Sequence, residues 1–597
     1  MEGESRLGFM TEEEIKNVDN WLTKIEYNRG QLGSYYTRWE VEQTAYSGDQ
    51  EIKENRPNSR VNIVNANIEG QVASLIEQNI ATVVRGEGPS DQSFAKWGRI
   101  LLDWSLRKNH IKRLIERHER RRELFGPAWF KLYWDADAIN GFGLATVTCP
   151  SLNSIFVDLK INDPLNIQDA EYIAEVMLKS KSWAENQERY KDKAKNIKYG
   201  GTDRASIFQK EKTSDDDDAF WLIQLWTKTN DMLRLLEFSD DGVLLYDSFE
   251  DEDIGKKPYY RYNKYPYFLT NLYHEEGKLL GFGDGKLLRP LQEMINDLYD
   301  QIRRAARPNR IFFDPDSNVE LEELDQDDGP IPCDRPNETI RVVEVGTVNP
   351  ALWNLLANIH QEIQRVIRFS ELMTGQSMQT KTATEASIQQ QQGSTGTDHK
   401  KMMLQETLND LCTYMLDMMM EHYDEGKAFR IDEDKDDYEW IDPRQLNSVP
   451  HLIPADSAYL DSFRKENPSA ESPQWMQLTD EQNKGVTKSV DFDIEISIGA
   501  GLPKNKAFLY QMLEKFGQMV VEGRNVLSWQ EFRDFAKDFL GLPLEDQPEI
   551  TQGQPQMPQG IADLLQSPMA EGLSAGGNPQ MGALPPQQGM TGGGMVG

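Results

Sequence analysis

Apolar side chains recur every three or four residues through the first ~120 positions, a helical signature. It runs through TEEEIKNVDNWLTKIEYNRGQLGSYYTRWEVE, then residues 63–80 with Ile68, Val72 and Leu75/Ile76 on one face, then residues 97–124. From Gly126 the period shortens to that of strands. AWFKLYWDAD, GLATVTCP, SIFVDL, FWLIQLWTKT, MLRLLEFS and GVLLYDSF are aromatic and β-branched runs broken by turn residues, which predicts a β-rich module of roughly 150 residues. At Gly281 the helical period returns. GFGDGKLLRPLQEMINDLYDQIRRAARPNR sets Leu287, Leu291, Met294/Ile295, Leu298, Ile302 and Ala305 in one stripe, with Asp284 as a candidate N-cap and Pro308 as a stop, over roughly 35 Å.

A Pro- and Asp-rich excursion follows whose ends, RIFFD and TIRVVEV, read as two strands. PALWNLLANIHQEIQRVIRFSELM is a second amphipathic helix, with Leu352, Leu355/Leu356, Ile359, Ile363 and Val366/Ile367 apolar. HKKMMLQETLNDLCTYMLDMMMEHYDEG is a third, with Leu404, Leu408, Leu411, Met415 and Met418/Met419 in phase; if residues 382–392 join it, it becomes one helix of about 40 residues, with a kink at 393–396. Further on, SVDFDIEISIGAGLP alternates Phe492, Ile494, Ile496 and Ile498 toward one side of a strand. NKAFLYQMLEKFGQMVVEGRN and SWQEFRDFAKDFLGLP read as a last helical unit, with Ser528 and Glu531 spaced as a capping box. The fold class is therefore α+β.

Charge narrows the function. Against 65 Lys and Arg stand 98 Asp and Glu, a formal net charge of −33, which argues against a protein that wraps nucleic acid on a basic face. Cys149, Cys333 and Cys412 are isolated and lack metal-ligand spacing, so neither a disulfide framework nor a zinc site is indicated and a reducing compartment fits. No apolar run approaches the ~18 to 20 residues that span a bilayer, and the chain reads as cytosolic. Residues 547–597, rich in Gln, Pro, Gly and Met, have a composition expected to stay disordered.

Candidate chemistry is sparse. The glycines of GFGDGKLL precede a helix but lack the GxxxxGK[ST] spacing of a phosphate loop, so they read as helix-start glycines. The seven His are dispersed, SDDDDA (214–219) reads as a solvated loop, and the carboxylates of RIDEDKDDYEW have no second acidic cluster at a recognisable spacing. No catalytic residue, cofactor or metal is expected. Cations do concentrate at Arg303, Arg304, Arg307 and Arg310. Neutralising a helix C-terminus and contacting phosphate or a partner are equal readings there. Between Arg113 and Arg122, interleaved Glu116 and Glu119 point to intersubunit ion pairs.

This order of elements resembles the portal proteins of tailed bacteriophages. The likeness is carried by NIVNANIEGQVASLIEQN, GPAWFKLYWDAD with PSLNSIFVD, YPYFLTNLYHEEGKLLGFGDGKLLRPLQEMINDLYDQIRRA, ELMTGQS, TATEASIQQQQ and ISIGAGLPKNKAFLYQML. The resemblance implies a ring, usually of twelve subunits, at one capsid vertex, through which double-stranded DNA is packaged and ejected. The implied partners are the terminase large subunit, the major capsid or scaffolding protein, and tail adaptor or connector proteins, with no membrane. The location is the virion, after assembly in the host cytoplasm.

The map it implies is a wing over residues 1–280, a first stem helix over 281–310, a clip over 311–349 and a second stem helix over 350–373. A tunnel loop over 374–382, a long wing helix over 383–426, a wing return with strands over 427–503 and crown helices over 504–546 complete it. An extended C-terminal helical barrel, which some members have, is missing; the low-complexity tail stands there instead.

Stem packing falls to Leu291, Leu298, Ile302, Ile359, Ile363 and Val366. The tunnel loop comprises Gly375, Gln376, Ser377, Gln379, Thr380, Lys381 and Thr382. Its near absence of charge has a physical reading: duplex DNA carries one negative charge per ~1.7 Å of axis, so a strongly cationic ring would hold it by counterion release. Polar side chains let it slide, and Gly375 gives the loop backbone freedom. The competing readings are another virion connector or adaptor, usually a shorter chain, a metal-dependent nucleic-acid processing enzyme built on Asp432, Asp434, Asp436 and Asp437, and a monomeric nucleic-acid binding protein, which conflicts with the acidic balance unless its basic face is the arginine cluster after Ile302.

Overall fold

The computed structural model describes residues 10–48, 61–76, 80–190, 193–199, 218–251, 254–306, 309–313, 340–344, 349–367, 383–430, 438–466, 473–479, 484–498, 520–521 and 524–525. Residues 1–500 form one unit and 501–597 a second. The described tunnel-loop positions are none: Gly375 to Thr382 lie outside these ranges, as do Arg307, Asp432, Asp434, Asp436, Asp437, the acidic run 214–217, most of the expected crown and the tail.

Helix α1 (Glu12–Ser47) begins with a capping box between Thr11 and Glu14 and ends at Gly48 in the left-handed conformation (φ 82°). Its buried stripe, Val18, Leu22, Ile25, Leu32 and Trp39, lies in the larger of two apolar cores. Helix α2 (Ile63–Ile76) is shorter than its periodicity predicts. Ile80 opens a strand, β1 (Ile80–Gly86), because the β-branched residues Ile80, Thr82, Val83 and Val84 pair antiparallel with the alternating strand near residue 495. The expected helix over 97–124 is likewise two, α3 (Ala95–Lys108) and α4 (Ile111–Phe125). The break is fixed by Asn109, whose side chain donates to Ala145 O at 2.9 Å and accepts from Val147 N at 2.8 Å, and by His110 in the left-handed region (φ 51°).

The β-rich module is real and holds more strands than the sequence reading picked out. β2 (Pro127–Asp135) is flanked by β3 (Leu144–Thr148) and β9 (Tyr267–Asn271), all antiparallel. A five-stranded antiparallel sheet orders β4 (Ile155–Val157), β5 (Tyr172–Ser180), β6 (Ala219–Thr229), β7 (Met232–Ser239) and β8 (Leu244–Asp247). β5 went unread although YIAEVMLKS pairs along its whole length with β6. A polar chain is buried where the two sheets meet: Lys131 joins Glu175 and donates to Gln224 at 2.7 Å, Gln224 donates to Glu237 at 2.6 Å, and Arg189 donates to Glu237 at 2.9 Å. β10 (Tyr273–Glu275) and β11 (Lys278–Phe282) form the hairpin that leads into the next helix.

Helix α5 (Asp284–Ala306) is followed by β12 (Asn309–Phe313), which pairs antiparallel with β13 (Ile340–Glu344), and then by α6 (Pro350–Ile367). Helix α7 (Ala383–His422) is one helix of 40 residues that passes through Gly393 and Gly396. The wing-return segment holds β14 (Lys427–Arg430) with β15 (Tyr438–Ile441), the two-residue β16 (Val449–Pro450), β17 (Leu452–Pro454), helix α8 (Ser457–Glu466), β18 (Trp475–Gln477), β19 (Thr487–Lys488) and β20 (Phe492–Ile498). In β20, Ile494, Ile496 and Ile498 are buried against α7 and β1, with Phe492 half-buried beside them. In the second unit, Val520–Val521 pairs with Arg524–Asn525 as a short hairpin where the spacing predicts helix. Two adjacent β-branched residues explain the preference.

Backbones touch directly at the base of α5. A Cβ on Gly126 (φ 102°) would lie 2.4 Å from the Phe282 backbone, and one on Gly283 would lie 2.5 Å from Glu123 O. GFGDG is thus a glycine interface between the end of α4 and the start of α5. Replacing Gly126 by Ala is expected to cost about 2–3 kcal/mol, since it adds a forbidden φ to a clash. Urea unfolding of G126A beside a control substitution at the open position Gly277 would measure it.

Candidate channel helices and the charge cluster at their base

With its glycines against α4, α5 starts at Asp284, whose side chain is fully buried. Sequence reasoning made Asp284 an N-cap; it is instead the first helical residue and an acceptor for three groups. Tyr273 OH donates to it at 3.0 Å, Gln71 Nε2 at 3.1 Å and Lys400 Nζ at 2.9 Å. Lys400, in the middle of α7, also donates to Glu123 of α4 at 2.5 Å and to the Gln71 amide oxygen of α2. One ammonium group therefore joins four helices. Arg122 completes the cluster by donating to the Lys400 carbonyl oxygen at 3.1 Å and pairing with Glu119, while Glu119 meets His118 Nδ1 at 2.9 Å. The His118 ring stacks on Phe130 at a centroid distance of 4.0 Å.

These groups correct the expectation of intersubunit pairs. Glu119, Arg122 and Glu123 are all fully buried within one chain, and Arg120 bonds Glu69 at 2.6 Å and Glu116 at 2.8 Å in the same chain. The run ERHERRRE alternates charge because its two faces serve different partners, at i, i+3 and i, i+4 along a helix. Burial pushes the Glu123 carboxyl up to about 7, against the pull of Lys400. Burial alone would lower the Lys400 value, but Glu123 and Asp284 outweigh it and hold the ammonium above its ordinary range. For Glu119 the opposing burial is overcome by Arg122 and His118, and its carboxyl is held low; burial lowers the His118 imidazole.

A second carboxylate sits where α1 crosses α5. Glu42 is 1% exposed, its nearest cation is Arg38 Nε at 3.5 Å, and neither of its oxygens has a hydrogen-bond partner among the described residues. Burial raises it to about 8, with Arg38, Arg289 and Lys286 opposing.

Above this base, α5 and α6 share the smaller apolar core with α2 and the end of α4. Leu298, Ile302, Ile359 and Ile363 are buried together with Leu288, Ile295, Leu356 and Ile367, and Leu291 is partly buried against them. Val366 is turned outward and Ile367 fills the buried position beside it. That choice follows phase: the stripe Leu356, Ile359, Ile363, Ile367 advances by three and four residues, and Val366 falls on its flank. Met294, Trp353 and Leu355 are also exposed. Of the basic cluster, Arg303 is exposed on the last turn of α5, Arg304 follows it in the helix, and Arg310 stands opposite Val343 in the β12–β13 pair. His360 donates or accepts within its own helix, at 2.8 Å from Leu356 O. Among the described residues no group of three or more His, Cys, Asp or Glu is arranged to hold a metal ion, and no helix is long and apolar enough to cross a membrane.

Sequence reasoning missed Lys400, Glu123 and Gln71. HKKMM reads as the start of a solvated helix, and only the apolar phase of Leu404, Leu408 and Leu411 signals that Lys400, four residues before Leu404, shares the buried face.

Two predictions follow from burial and charge. Lys400→Met strands Glu123 and Asp284 and is expected to destabilise by about 3–5 kcal/mol, with much of the loss recovered in the Lys400→Met, Glu123→Gln, Asp284→Asn triple variant; urea unfolding reads both. Glu42 and Glu123 have folded values near 8 and 7, above the ordinary 4.5. The folded chain therefore binds more protons than the unfolded chain through that window, and stability falls as pH rises from about 4.5 to 8. The thermal midpoint should climb as pH drops from 8 to 5, and Glu42→Gln should flatten the climb; an unchanged slope in E42Q would contradict the assignment.

Comparison with curated protein sequences gives no match. A helix, a two-stranded hairpin and a second helix, anchored at their base by Asp284 and leading to a long helix locked by Lys400, all lie within one stretch that a family model recognises. The model is that of the phage P22-like portal proteins, it matches residues 255–573, more than half of the chain, and the chain belongs to that family of bacteriophage portal proteins.

Proposed function

We propose that the chain assembles as a ring of twelve copies at one vertex of the capsid, that double-stranded DNA enters through its channel during packaging and leaves by it at ejection, and that the terminase large subunit and later tail adaptor proteins dock on it. The observation that carries this reading is the α5–hairpin–α6 unit inside the matched region. Each helix buries one stripe in its own subunit and leaves Met294, Trp353, Leu355 and Val366 uncovered. Exposed apolar side chains spaced along two adjacent helices are what lateral packing between identical neighbours requires.

In this reading α5 and α6 are the stem, with Leu291, Leu298, Ile302, Ile359 and Ile363 holding it to its own subunit and Val366 facing the neighbour. The β12–β13 hairpin belongs to the clip that receives terminase, near Arg303, Arg304, Arg307 and Arg310. Residues 374–382, from Gly375 to Thr382, are the tunnel loop, and Lys381 contributes one belt of positive charge to an otherwise neutral ring. Residues 1–280 and the segment around α7 to β20 form the wing, 504–546 the crown, and the major capsid or scaffolding protein meets the outside. The role needs no catalytic residue, cofactor or metal; the free energy of packaging comes from the terminase ATPase. The protein resides in the virion after assembly in the host cytoplasm.

Light scattering with negative-stain imaging tests this directly. The expected species has about twelve times the 68.5 kDa chain mass and a central hole, and a monomer under assembly conditions with scaffolding protein would overturn the reading. Trp353→Asp combined with Leu355→Asp should keep the subunit folded and abolish the ring. Lys381→Ala should leave the ring intact and change the amount of DNA retained per capsid; equal retention would remove Lys381 from the tunnel.

A further inference from the structure

The basic run on α3 and α4 divides sharply once folded. Arg120, Arg121 and Arg122 are engaged inside the subunit, with Arg121 donating to Pro150 O at 2.6 Å. Lys108, Lys112, Arg113 and Arg117 are exposed, and their side chains form no ion pair or hydrogen bond among the described residues. Their placement works against the local helix. Lys112 and Arg113 stand in the first turn of α4, at the positive end of its dipole, Arg113 and Arg117 repel at i, i+4, and His110 provides no side-chain cap. A segment that breaks several local rules at one spot is serving something outside itself.

An opposite surface lies at the far end of the same substructure. Lys112 shares a small gap with Ile80, Ile498 and Leu404, at one end of the β1–β20 ribbon. At the other end, seven residues and about 20 Å away, a cleft of about 150 Å³ opens between α7 and β20. Its polar walls include Glu87, Asp417 and Asp491, and its floor includes Leu416, Met420 and Phe492. Asp417 bonds Arg261 at 2.5 Å through Oδ1, while its buried Oδ2 has no partner among the described residues. Glu87 is exposed and forms no ion pair there, and Asp491 pairs with Lys488 at 2.8 Å. Apolar floor and anionic rim together match a long basic side chain, whose methylenes cover carbon while its head meets carboxylate.

We infer that the α3–α4 elbow of one copy docks at the carboxylate-lined cleft between α7 and β20 of the next copy. This rests on the ring reading above. Opposite charges at opposite ends of one ribbon allow a head-to-tail contact, the kind that closes a cyclic assembly, and within the ring reading that is the arrangement they serve. The contact sets the register between neighbours; the exposed apolar side chains of the stem are a separate interface. Its exposed cations and carboxylates are screened by salt.

Two charge-reversal variants test it, Arg113→Glu with Arg117→Glu and Glu87→Lys with Asp491→Lys, each checked for a wild-type thermal midpoint as a monomer. A wild-type chain that never forms rings overturns the ring reading and the inference with it. With wild-type rings in hand, each variant alone is expected to lose at least tenfold of its ring fraction at physiological salt. Equal amounts of the two, mixed, should regain rings, because every junction then pairs an acidic group with a basic one. Normal assembly of either variant alone, or folded variants whose mixture stays monomeric, would overturn the inference. So would an R113E/R117E variant that rings normally and loses only affinity for duplex DNA, which would make the elbow a nucleic-acid surface.

Discussion

A single ammonium group, Lys400, sits where α2, α4, α5 and α7 cross, and their mutual arrangement depends on it. A buried charge is tolerated only when its partners are complete, and here Glu123, Asp284 and Gln71 come from three different helices. None of them can slide along its neighbour by a turn without leaving a charge uncompensated. Apolar packing alone permits such slips at modest cost; an ion and its acceptors do not. The glycine contact between α4 and α5 complements this, because it lets the helices approach closely enough for Glu123 and Asp284 to share one cation.

Much of the architecture was legible in the sequence, and the reasons are local. The stripe Leu298, Ile302 and the stripe Ile359, Ile363 are long runs of unbroken helical period, and the strands from β2 to β8, β5 excepted, are marked by β-branched and aromatic residues between turn signals. What failed was also local in cause. Ile80 continued an apparent helical phase from Ile76, and only pairing with β20, more than four hundred residues away, makes it a strand. Val520 and Val521 kept helical spacing while forming a hairpin. The charge cluster was illegible for a different reason: Glu123 and Lys400 look like ordinary surface residues until four helices are brought together, since a pattern along one chain segment carries no record of a partner from another.

Acidic excess is usually discussed as a matter of solubility, but here it sorts the cations. In a chain with 98 acidic residues against 65 basic ones, many of the described Lys and Arg are taken up by carboxylates or carbonyl groups close by. Among the described cations without such a side-chain partner, Lys108, Lys112, Arg113 and Arg117 lie together on the α3–α4 elbow. Membership in the portal family rests on sequence and does not depend on this sorting, and the sorting in turn is what the proposed direction of contact between neighbours is argued from.

The 40 residues of α7 also have a mechanical meaning. Lys400 is close to the middle of that rod, so the anchored point is a fulcrum and Ala383 to His399 is the arm on its N-terminal side, about 25 Å at 1.5 Å per residue. Arg261, bonded to Asp417 and Glu421, clamps the opposite arm. A tilt of only about 5° about the fulcrum would carry the end of that arm through about 2 Å. Small adjustments around one buried charge are therefore magnified at the Ala383 end of α7.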